Sequence, residues 1–253
     1  MLEICCGDLA SVLAAKAGGA QRIELCTGLL DGGLTPSMGL IHAAVATGMP
    51  EINVLVRPRP GDFLYTPEEL ALMESDIRES IAAGATGIVI GILTPEGEID
   101  KDACRRLIEV AREAGHEAGR EKINITFHRA FDVSCDADKS LEDLISLGFD
   151  CVLTSGQAPS AVNGALMLGH LVRRAAGRIA IMAGAGVTPA NARDLIEVTG
   201  VDFLHSTARK PIASRMKFRR PRVPMGAPGT DEYAPLSTSP DVVASLVAKT
   251  VKN

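Results

Sequence analysis

The sequence predicts a single (β/α)8 barrel, the TIM barrel fold, over residues 1–253. Three observations lead to this prediction. Eight apolar strand-like runs alternate with helix-like segments, no sharp change in composition divides the chain, and 253 residues with 46% hydrophobic side chains can bury one barrel-sized core. An open, doubly wound parallel sheet is the alternative, although such a sheet is usually shorter or divides more visibly.

The eight predicted strands are short runs rich in Ile, Val and Leu, as expected for strands buried on both faces of a parallel sheet. In chain order they are 2–6, 22–26, 52–57, 87–93, 124–129, 151–155, 179–183 and 202–206.

Helix-like segments follow the strands, and several carry recognisable boundary signals. Thr66 before Pro67 and Thr188 before Pro189 each predict a cap followed by the first helical residue, while glycines such as Gly148 predict helix ends. The predicted helices are 9–18, 37–47, 67–83, 101–115, 138–147, 160–175, 189–199 and 241–251.

Composition restricts the class of partner. The chain has 26 basic and 31 acidic side chains and a net charge of −5, which argues against a broad nucleic-acid surface and favours a small partner. The chain starts directly with a strand-like run, and no uninterrupted apolar run approaches ~18 residues, so we expect a cytoplasmic protein with no membrane partner. The six scattered cysteines contain no C-x-x-C pair, which predicts reduced thiols.

Several apolar runs end in polar residues, where a buried strand would ordinarily continue with Val, Ile or Leu. Active sites in barrels of this kind lie at the carboxyl ends of the strands, so these side chains are predicted to converge there. The candidate catalytic residues are Glu3, Glu24, Arg57, His128 and His205. Alternatively, Glu3 or Glu24 could pair with Arg57 in a buried salt bridge that serves only the structure.

Glycine-rich turns form a second candidate feature, because their free N–H groups can approach an anion. The segment 182–189 follows the seventh strand, and hydroxyl and guanidinium groups follow the strands around it. The candidate ligand-binding residues are Arg57, Arg129, Ser155, Gly184, Gly186 and Ser206. A purely structural strand-to-helix turn would contain the same glycines.

Two thiols suggest a soft-metal site. Cys5 and Cys26 lie on adjacent predicted strands, at equal distances from Glu3 and Glu24, and thiolates select Cu(I) or Zn(II). A buried free cysteine can also serve only as a small apolar side chain.

The chain resembles the CutC copper homeostasis family in motifs that follow one another in order from Met1 to the C-terminal helix. These motifs are LEICC (2–6), RIELC (22–26), GGLTPS (32–37), RPRPGDF (57–63), TFHRAFD (126–132), VLTSG (152–156), MAGAG (182–186) and MKFR (216–219). The resemblance implies a cytoplasmic, homo-oligomeric TIM barrel, a dimer or tetramer, associated with copper tolerance. It also implies Cu(I) binding by Cys5 and Cys26, which occupy the positions of the family's ligand cysteines.

Two features depart from the common pattern. Pro60 replaces a glycine in the loop after the third strand, which removes one N–H that could bind an anion. The segment 209–239 is long for a barrel loop and carries Lys217, Arg219, Arg220 and Arg222. It could fold over the barrel mouth, meet another subunit or remain a solvated loop.

Three classes of function are therefore open. The first is a Cu(I)-binding homeostasis protein without turnover. The second is an enzyme of lyase, isomerase or hydrolase type that acts on a small anionic or phosphorylated metabolite. The third is an oligomeric structural protein with a residual polar cluster.

Overall fold

The structure, a computed structural model, describes residues 1–220, 223, 231 and 233–250. Eight parallel strands pair in sequence order, and β1 closes the barrel by pairing with β8. The predicted (β/α)8 barrel is confirmed, and the closure excludes the open-sheet alternative.

The elements alternate along the chain as a barrel requires. The barrel strands are β1 Leu2–Cys6, β2 Arg22–Leu25, β3 Glu51–Leu55, β4 Gly87–Ile90, β5 Asn124–Phe127, β6 Cys151–Thr154, β7 Ala180–Ala183 and β8 Phe203–Ser206. The helices are α1 Leu9–Ala17, α2 Met38–Ala46, α3 Pro67–Ala82, α4 Lys101–Glu117, α5 Ala137–Leu147, α6 Ala165–Ala175, α7 Ala192–Thr199 and α8 Pro240–Thr250. Among the described residues, two 3-10 turns cover Leu29–Asp31 and Arg129–Val133.

Most apolar burial lies between the strands and the helices, while polar side chains occupy part of the barrel interior. Strand register places Glu3 beside His205 on one side and beside Arg22 on the other, and places Cys5 beside Glu24. Because alternate side chains of a strand share a face, Glu3 and Cys5 both point into the barrel, and so do Arg22 and Glu24.

Two helices begin three or more residues later than predicted. Helix α6 starts at Ala165 instead of residue 160, because the buried Ala161 donates its N–H to the Ala185 carbonyl and holds the preceding residues in a turn. Helix α7 starts at Ala192 instead of Pro189. The prediction that Thr188 caps this helix is therefore wrong.

The segment after β8 begins and ends in a two-stranded antiparallel sheet. Strands β9 (Arg209–Pro211) and β10 (Leu236–Thr238) pair with each other. Lys217, Arg219 and Arg220 are exposed, and Arg222 lies outside the described residues. Within the described ranges, no helix is both long enough and apolar enough to span a membrane.

Candidate functional site

A cavity of about 620 Å³ opens at the carboxyl ends of the strands, where the sequence predicts the site. Among the predicted residues, those that line it are Cys5, Glu24, Arg57, His128, Arg129, Gly186, His205 and Ser206. Glu3, Cys26, Ser155 and Gly184 lie behind this lining and support it. The contacts of all these predicted residues decide what the cavity can bind.

Glu3 is a fully buried carboxylate with three polar partners. Arg22 Nε donates to Glu3 Oε2 at 2.7 Å, Asn53 Nδ2 donates to the same oxygen at 3.0 Å, and His205 Nδ1 lies 2.9 Å from Oε1. Burial alone would raise the pKa of Glu3, but the His205 hydrogen bond and the Arg22 charge outweigh it and lower the pKa to about 2. Glu3 therefore stays ionised and orients His205.

The buried ion pair of Glu3 forms with Arg22. The alternative in which Glu3 or Glu24 pairs with Arg57 is therefore wrong. Arg22 also contacts Glu51 Oε2 and Thr126 Oγ1, at 3.0 and 3.3 Å. Sequence reasoning did not single out Arg22, because an arginine at the start of a strand resembles an ordinary polar flank. Arg22 and Glu24 are two residues apart in β2, so their side chains share the inward face of the strand. This spacing was the signal available in the sequence.

Glu24 and His205 interact above Glu3. His205 Nε2 lies 3.8 Å from Glu24 Oε2. Burial raises the pKa of Glu24, and the charge of His205 only partly opposes this. Burial would lower the pKa of His205, but the charge of Glu24 and the hydrogen bond with Glu3 raise it. Two groups with shifted pKa values at the floor of a cavity are suited to proton transfer.

The two predicted metal-ligand cysteines meet beside this pair. Cys5 Sγ lies 3.5 Å from Cys26 Sγ and donates to Glu24 Oε2 at 3.1 Å. Hydrogen bonding with Cys26 and burial raise the pKa of the Cys5 thiol well above its ordinary value. A metal ion must therefore displace the Cys5 proton in order to bind. Two adjacent sulfur atoms suit a soft ion such as Cu(I).

His128 lies across the cavity and is held as a neutral imidazole. Its Nδ1 accepts a hydrogen bond from the Ala130 N–H at 3.1 Å, so the proton of the neutral ring is on Nε2. Burial and the charge of Arg57 lower the pKa of His128 to about 3. Nε2 has no partner among the described residues, so it is a buried donor beside the cavity.

Arg57 braces two loops. Its Nη1 donates to the carbonyls of Asp31 and Gly33, both at 2.9 Å, and its Nη2 donates to the Gly61 carbonyl at 2.8 Å. Its Nε–H meets no acceptor among the described residues. Arg57, the predicted anion-binding residue, thus makes contacts that mainly hold the two loops together. Its Nε–H is the buried donor that these contacts leave without an acceptor.

Arg129 and Ser155 are both engaged by Asp132. Asp132 Oδ2 accepts from Arg129 Nε at 2.7 Å, and Asp132 also accepts from the Ser155 N–H at 3.0 Å. The Ser155 hydroxyl lies 2.9 Å from Asp132 Oδ2 and 2.6 Å from the Ala158 carbonyl oxygen. The Asp132 carboxylate therefore already accepts hydrogen bonds from backbone N–H groups of the loop after β6. The motif TFHRAFD contains Asp132, but the sequence does not show that Asp132 binds Ser155, which lies 23 residues further along the chain.

The glycine-rich turn after β7 divides into two parts. The Gly184 N–H donates to the Thr154 carbonyl at 3.0 Å, so it belongs to the sheet. Gly186 lines the cavity with a φ of 76°, and its N–H makes no hydrogen bond with any other described residue. The Ser206 hydroxyl donates to the Val187 carbonyl at 2.8 Å and ties this turn to β8. Gly186 is thus the part of the turn nearest to an anion-binding role.

Known proteins of similar sequence match this chain over most of its length. The CutC family profile matches residues 1–210. A "family protein CutC" of Chromobacterium violaceum is 44% identical over 246 residues, covering 97% of this chain and 96% of that protein. The human "Copper homeostasis protein cutC homolog" is 42% identical over 227 residues, covering 90% and 80%.

Solved structures agree with this assignment. A crystal structure of CutC from Streptococcus agalactiae has a TM-score of 0.75 and 33% identity, covering 82% of this chain and 98% of that one. An aldolase with 15% identity and a TM-score of 0.59, covering 81% and 89%, shares the barrel fold alone. The profile match, the relatives above 40% identity and the barrel with its thiol pair together establish that this chain belongs to the CutC family.

Proposed function

We propose that this protein is a cytoplasmic copper homeostasis protein that binds Cu(I) through Cys5 and Cys26. The observation that carries the proposal is the 3.5 Å separation of the two sulfur atoms, which come from adjacent strands. Cys5 lines the cavity, so the ion has a route to the sulfur pair. The name of the human relative, a copper homeostasis protein, supports the same role.

An anaerobic Cu(I) titration of the reduced protein against a competing chelator tests this proposal. The titration uses a Cys135→Ser background, because Cys135 is an exposed thiol that could bind copper adventitiously. We expect one Cu(I) per chain, lost when both Cys5→Ser and Cys26→Ser are introduced. Cys151→Ser is the matched control, since Cys151 is another buried thiol of the barrel interior. Unchanged stoichiometry in the double variant of a folded protein would contradict the proposal.

The second candidate function is catalysis on a small anionic or phosphorylated metabolite. The observation that favours it is the pair of buried donors, Arg57 Nε and His128 Nε2, which have no partner among the described residues and belong to two residues that line one cavity. A copper-binding thiol pair does not require either donor. In this proposal Arg57 and the Gly186 turn hold the anion, and Glu24 and His205 transfer protons.

Calorimetric titration with inorganic phosphate and sulfate tests the second candidate. We expect Arg57→Lys to weaken anion binding while Cu(I) binding is retained, because Arg57 does not contact the thiols. Arg59→Lys is the control, since Arg59 makes its ion pairs with Asp62 and Glu69. An anion affinity that is equal in all three proteins would reject Arg57 as the clamp.

We also propose that the chain forms a homo-oligomer, a dimer or tetramer. Large apolar side chains lie exposed on α6 and α7, where Leu166 is 89% and Val198 is 69% exposed. Exposed apolar side chains are suitable for burial between subunits. Light scattering coupled to size-exclusion chromatography would measure the mass, and a monomeric mass at micromolar concentration would contradict this proposal.

A further inference from the structure

We propose that Cys5, Glu24 and His205 form a three-ligand site for one Zn²⁺ ion at the floor of the cavity. This site shares Cys5 with the proposed Cu(I) pair but does not use Cys26. It does not rest on the Cu(I) proposal, and it supplies the metabolite-binding cavity with a Lewis acid.

The first support is the geometry of the three ligand atoms. One sulfur, one carboxylate oxygen and one imidazole nitrogen lie within 4.8 Å of one another. Cys5 Sγ lies 3.1 Å from Glu24 Oε2, and His205 Nε2 lies 3.8 Å from the same oxygen. A tetrahedral Zn²⁺ places such ligand atoms about 3.4–3.6 Å apart, since its bonds to N, O and S are about 2.0–2.3 Å long. Small side-chain movements would therefore close the site.

The second support is independent and comes from the residues behind the ligands. The other ring nitrogen of His205 lies 2.9 Å from the Glu3 carboxylate, so Nδ1 donates and Nε2 points toward Glu24 and Cys5. Metal-binding histidines commonly donate their second N–H to a carboxylate in this way, which fixes the tautomer and the ring. Arg22 and Asn53 hold Glu3 in turn. A ligand histidine is thus oriented in advance.

Charge favours a divalent ion over a monovalent one. With Cys5 as a thiolate and Glu24 as a carboxylate, the three ligands carry two negative charges, and Arg22 already compensates Glu3. A Zn²⁺ ion neutralises the two ligand charges, whereas Cu(I) in the same three-ligand set leaves one buried negative charge without compensation. The mixed S, N and O donor set also suits Zn²⁺ better than a soft ion.

The site has an open side. All three ligands line the 620 Å³ cavity, so the fourth coordination position faces the space in which a small molecule would lie. Three protein ligands with one open position are typical of catalytic zinc, and structural zinc is usually enclosed by four. Loading is written Cys5–SH + Zn²⁺ → Cys5–S–Zn⁺ + H⁺: the S–H bond breaks, the S–Zn bond forms, and the proton leaves to solvent. A proton carried by His205 Nε2 or by the Glu24 carboxyl group also leaves to solvent when that ligand binds the ion.

Binding of Zn²⁺ and of Co²⁺ to the reduced full-length chain tests the site. Calorimetry in buffers of different ionisation enthalpy should give one Zn²⁺ per chain with release of protons. Co²⁺, which replaces Zn²⁺ and absorbs visible light, should show a thiolate charge-transfer band and the strong d–d bands of a four-coordinate ion. These measurements also use the Cys135→Ser background.

Variants separate this proposal from the Cu(I) proposal. Glu24→Gln and His205→Gln should each lower Zn²⁺ affinity by roughly 100-fold or more, and Glu3→Gln should lower it by about 10–100-fold because it releases His205. Cys26→Ser should abolish tight Cu(I) binding while Zn²⁺ affinity stays unchanged. Cys5→Ser should abolish both.

Two results would overturn the zinc site. One is the absence of stoichiometric Zn²⁺ binding by the folded Cys135→Ser protein. The other is a Zn²⁺ affinity and a Co²⁺ spectrum that neither Glu24→Gln nor His205→Gln changes, with folding verified by circular dichroism. The two glutamine variants act on separate strands, so a folding defect in one leaves the other as the test. Loss of Cu(I) binding alone in Cys26→Ser leaves the zinc site standing.

Discussion

Glu3 shows how one carboxylate depends on its neighbours at the scale of a residue. It is fully buried and is stabilised by Arg22, Asn53 and His205. A buried ion is stable only when it is paired and hydrogen-bonded, so loss of one partner leaves the other charge without compensation.

Breaking the Glu3–Arg22 pair should therefore destabilise the fold strongly. We expect Arg22→Met or Glu3→Gln alone to lower the free energy of unfolding by about 3–5 kcal/mol, and the double variant to lower it by less than the sum. Urea denaturation measures these changes. Arg105→Met is the control, because the pair of Arg105 with Asp102 is exposed and should change stability by less than about 1 kcal/mol. Strict additivity in the double variant would show that the two groups are not coupled.

His128 makes the stability depend on pH. Its pKa is about 3 in the folded protein and 6.5 for an ordinary histidine, so the unfolded chain binds more protons between these values. The contribution of neutral His128 is complete above about pH 6.5, decreases as the pH falls towards 3, and amounts to roughly 5 kcal/mol at most.

The variant His128→Asn measures this contribution, because asparagine does not titrate and can still accept a hydrogen bond from the Ala130 N–H. Between about pH 6 and pH 4, the free energy of unfolding should fall more steeply in the parent protein than in the variant, by roughly 1.4 kcal/mol per pH unit. Equal slopes would contradict a buried neutral imidazole.

Much of the residue content of the cavity could be predicted from polar side chains at strand ends. Cys5, Glu24 and His128 were found in this way, because polarity within an apolar run is a local signal. The partners of these residues were less accessible. Arg22 donates to Glu3 across 19 residues, and Asp132 accepts from Ser155 across 23 residues. Such pairs depend on strand register and side-chain direction, which a residue pattern does not contain.

At the scale of an element, Gly91 follows β4 and lets the His128 ring lie against the backbone. A Cβ atom at Gly91 would lie 2.3 Å from His128 Cε1 and 2.4 Å from its Nδ1. His128 directly follows the next strand, β5, which brings it to this position. The geometry of the site therefore depends on Gly91, a residue without a side chain at the end of the neighbouring strand.

We expect Gly91→Ala to displace the His128 ring, to lower stability by about 1–3 kcal/mol through overpacking, and to raise the pKa of His128. Imidazole chemical shifts followed against pH would report the change in pKa. Gly39→Ala is the matched control, because its nearest atom would be 3.9 Å from the new Cβ and the residue lies within α2. An unchanged His128 titration in Gly91→Ala would contradict the proposed contact.

Helix boundaries show where local signals succeed. Thr66 and Pro67 predict the start of α3 correctly, because Thr66 and Glu69 complete a capping box from residues within one turn. Thr188 and Pro189 carry a similar signal before α7, but Asn191 accepts from the Thr188 N–H and donates to the Gly186 carbonyl, which folds these residues into a turn. The competing side chain, that of Asn191, lies beyond Thr188 and Pro189 and is not part of the helix-start signal.

At the scale of the whole molecule, the long segment after β8 is joined to the barrel by the β9–β10 pair. Among the described residues of 212–235, the backbone hydrogen bonds stay within that range, as in the bonds of Ile212 with Pro235 and of Ser214 with Tyr233. None of the described residues of 212–235 lines the cavity. The described part of 212–235 is therefore separate from the barrel in its hydrogen bonds, whereas β10 contacts α1, where the Thr238 N–H donates to Ser11 Oγ at 3.5 Å.

Replacement of residues 215–232 by Asn-Gly should preserve the barrel. The Ser214 N–H donates to the Tyr233 carbonyl at 2.8 Å, in the register of the β9–β10 pair, and a hydrogen-bonded pair of this kind suits a two-residue hairpin turn, so the free energy of unfolding should change by less than about 1 kcal/mol. Truncation after Ser239 is the contrasting control, because it removes the fully buried Val243 and Leu246 of α8 and should cost several kcal/mol, about 2–5 per side chain. A lower oligomer mass after the replacement would show that the segment joins subunits, and a large loss of stability would contradict the separation.

Closure of the barrel by β1 and β8 has a consequence for the order of events during synthesis. Cys5 and Cys26 are 21 residues apart, whereas Glu3 meets His205 across 202 residues. At a translation rate of about 5–20 residues per second, the thiols leave the ribosome roughly 10–40 seconds before His205 does. A nascent chain can therefore present two sulfur ligands to a soft ion before the histidine ligand exists. For the proposed Cu(I) and Zn²⁺ sites, which share Cys5, the timing of translation would favour first capture of copper under copper excess, before exchange in the completed barrel sets the occupancy.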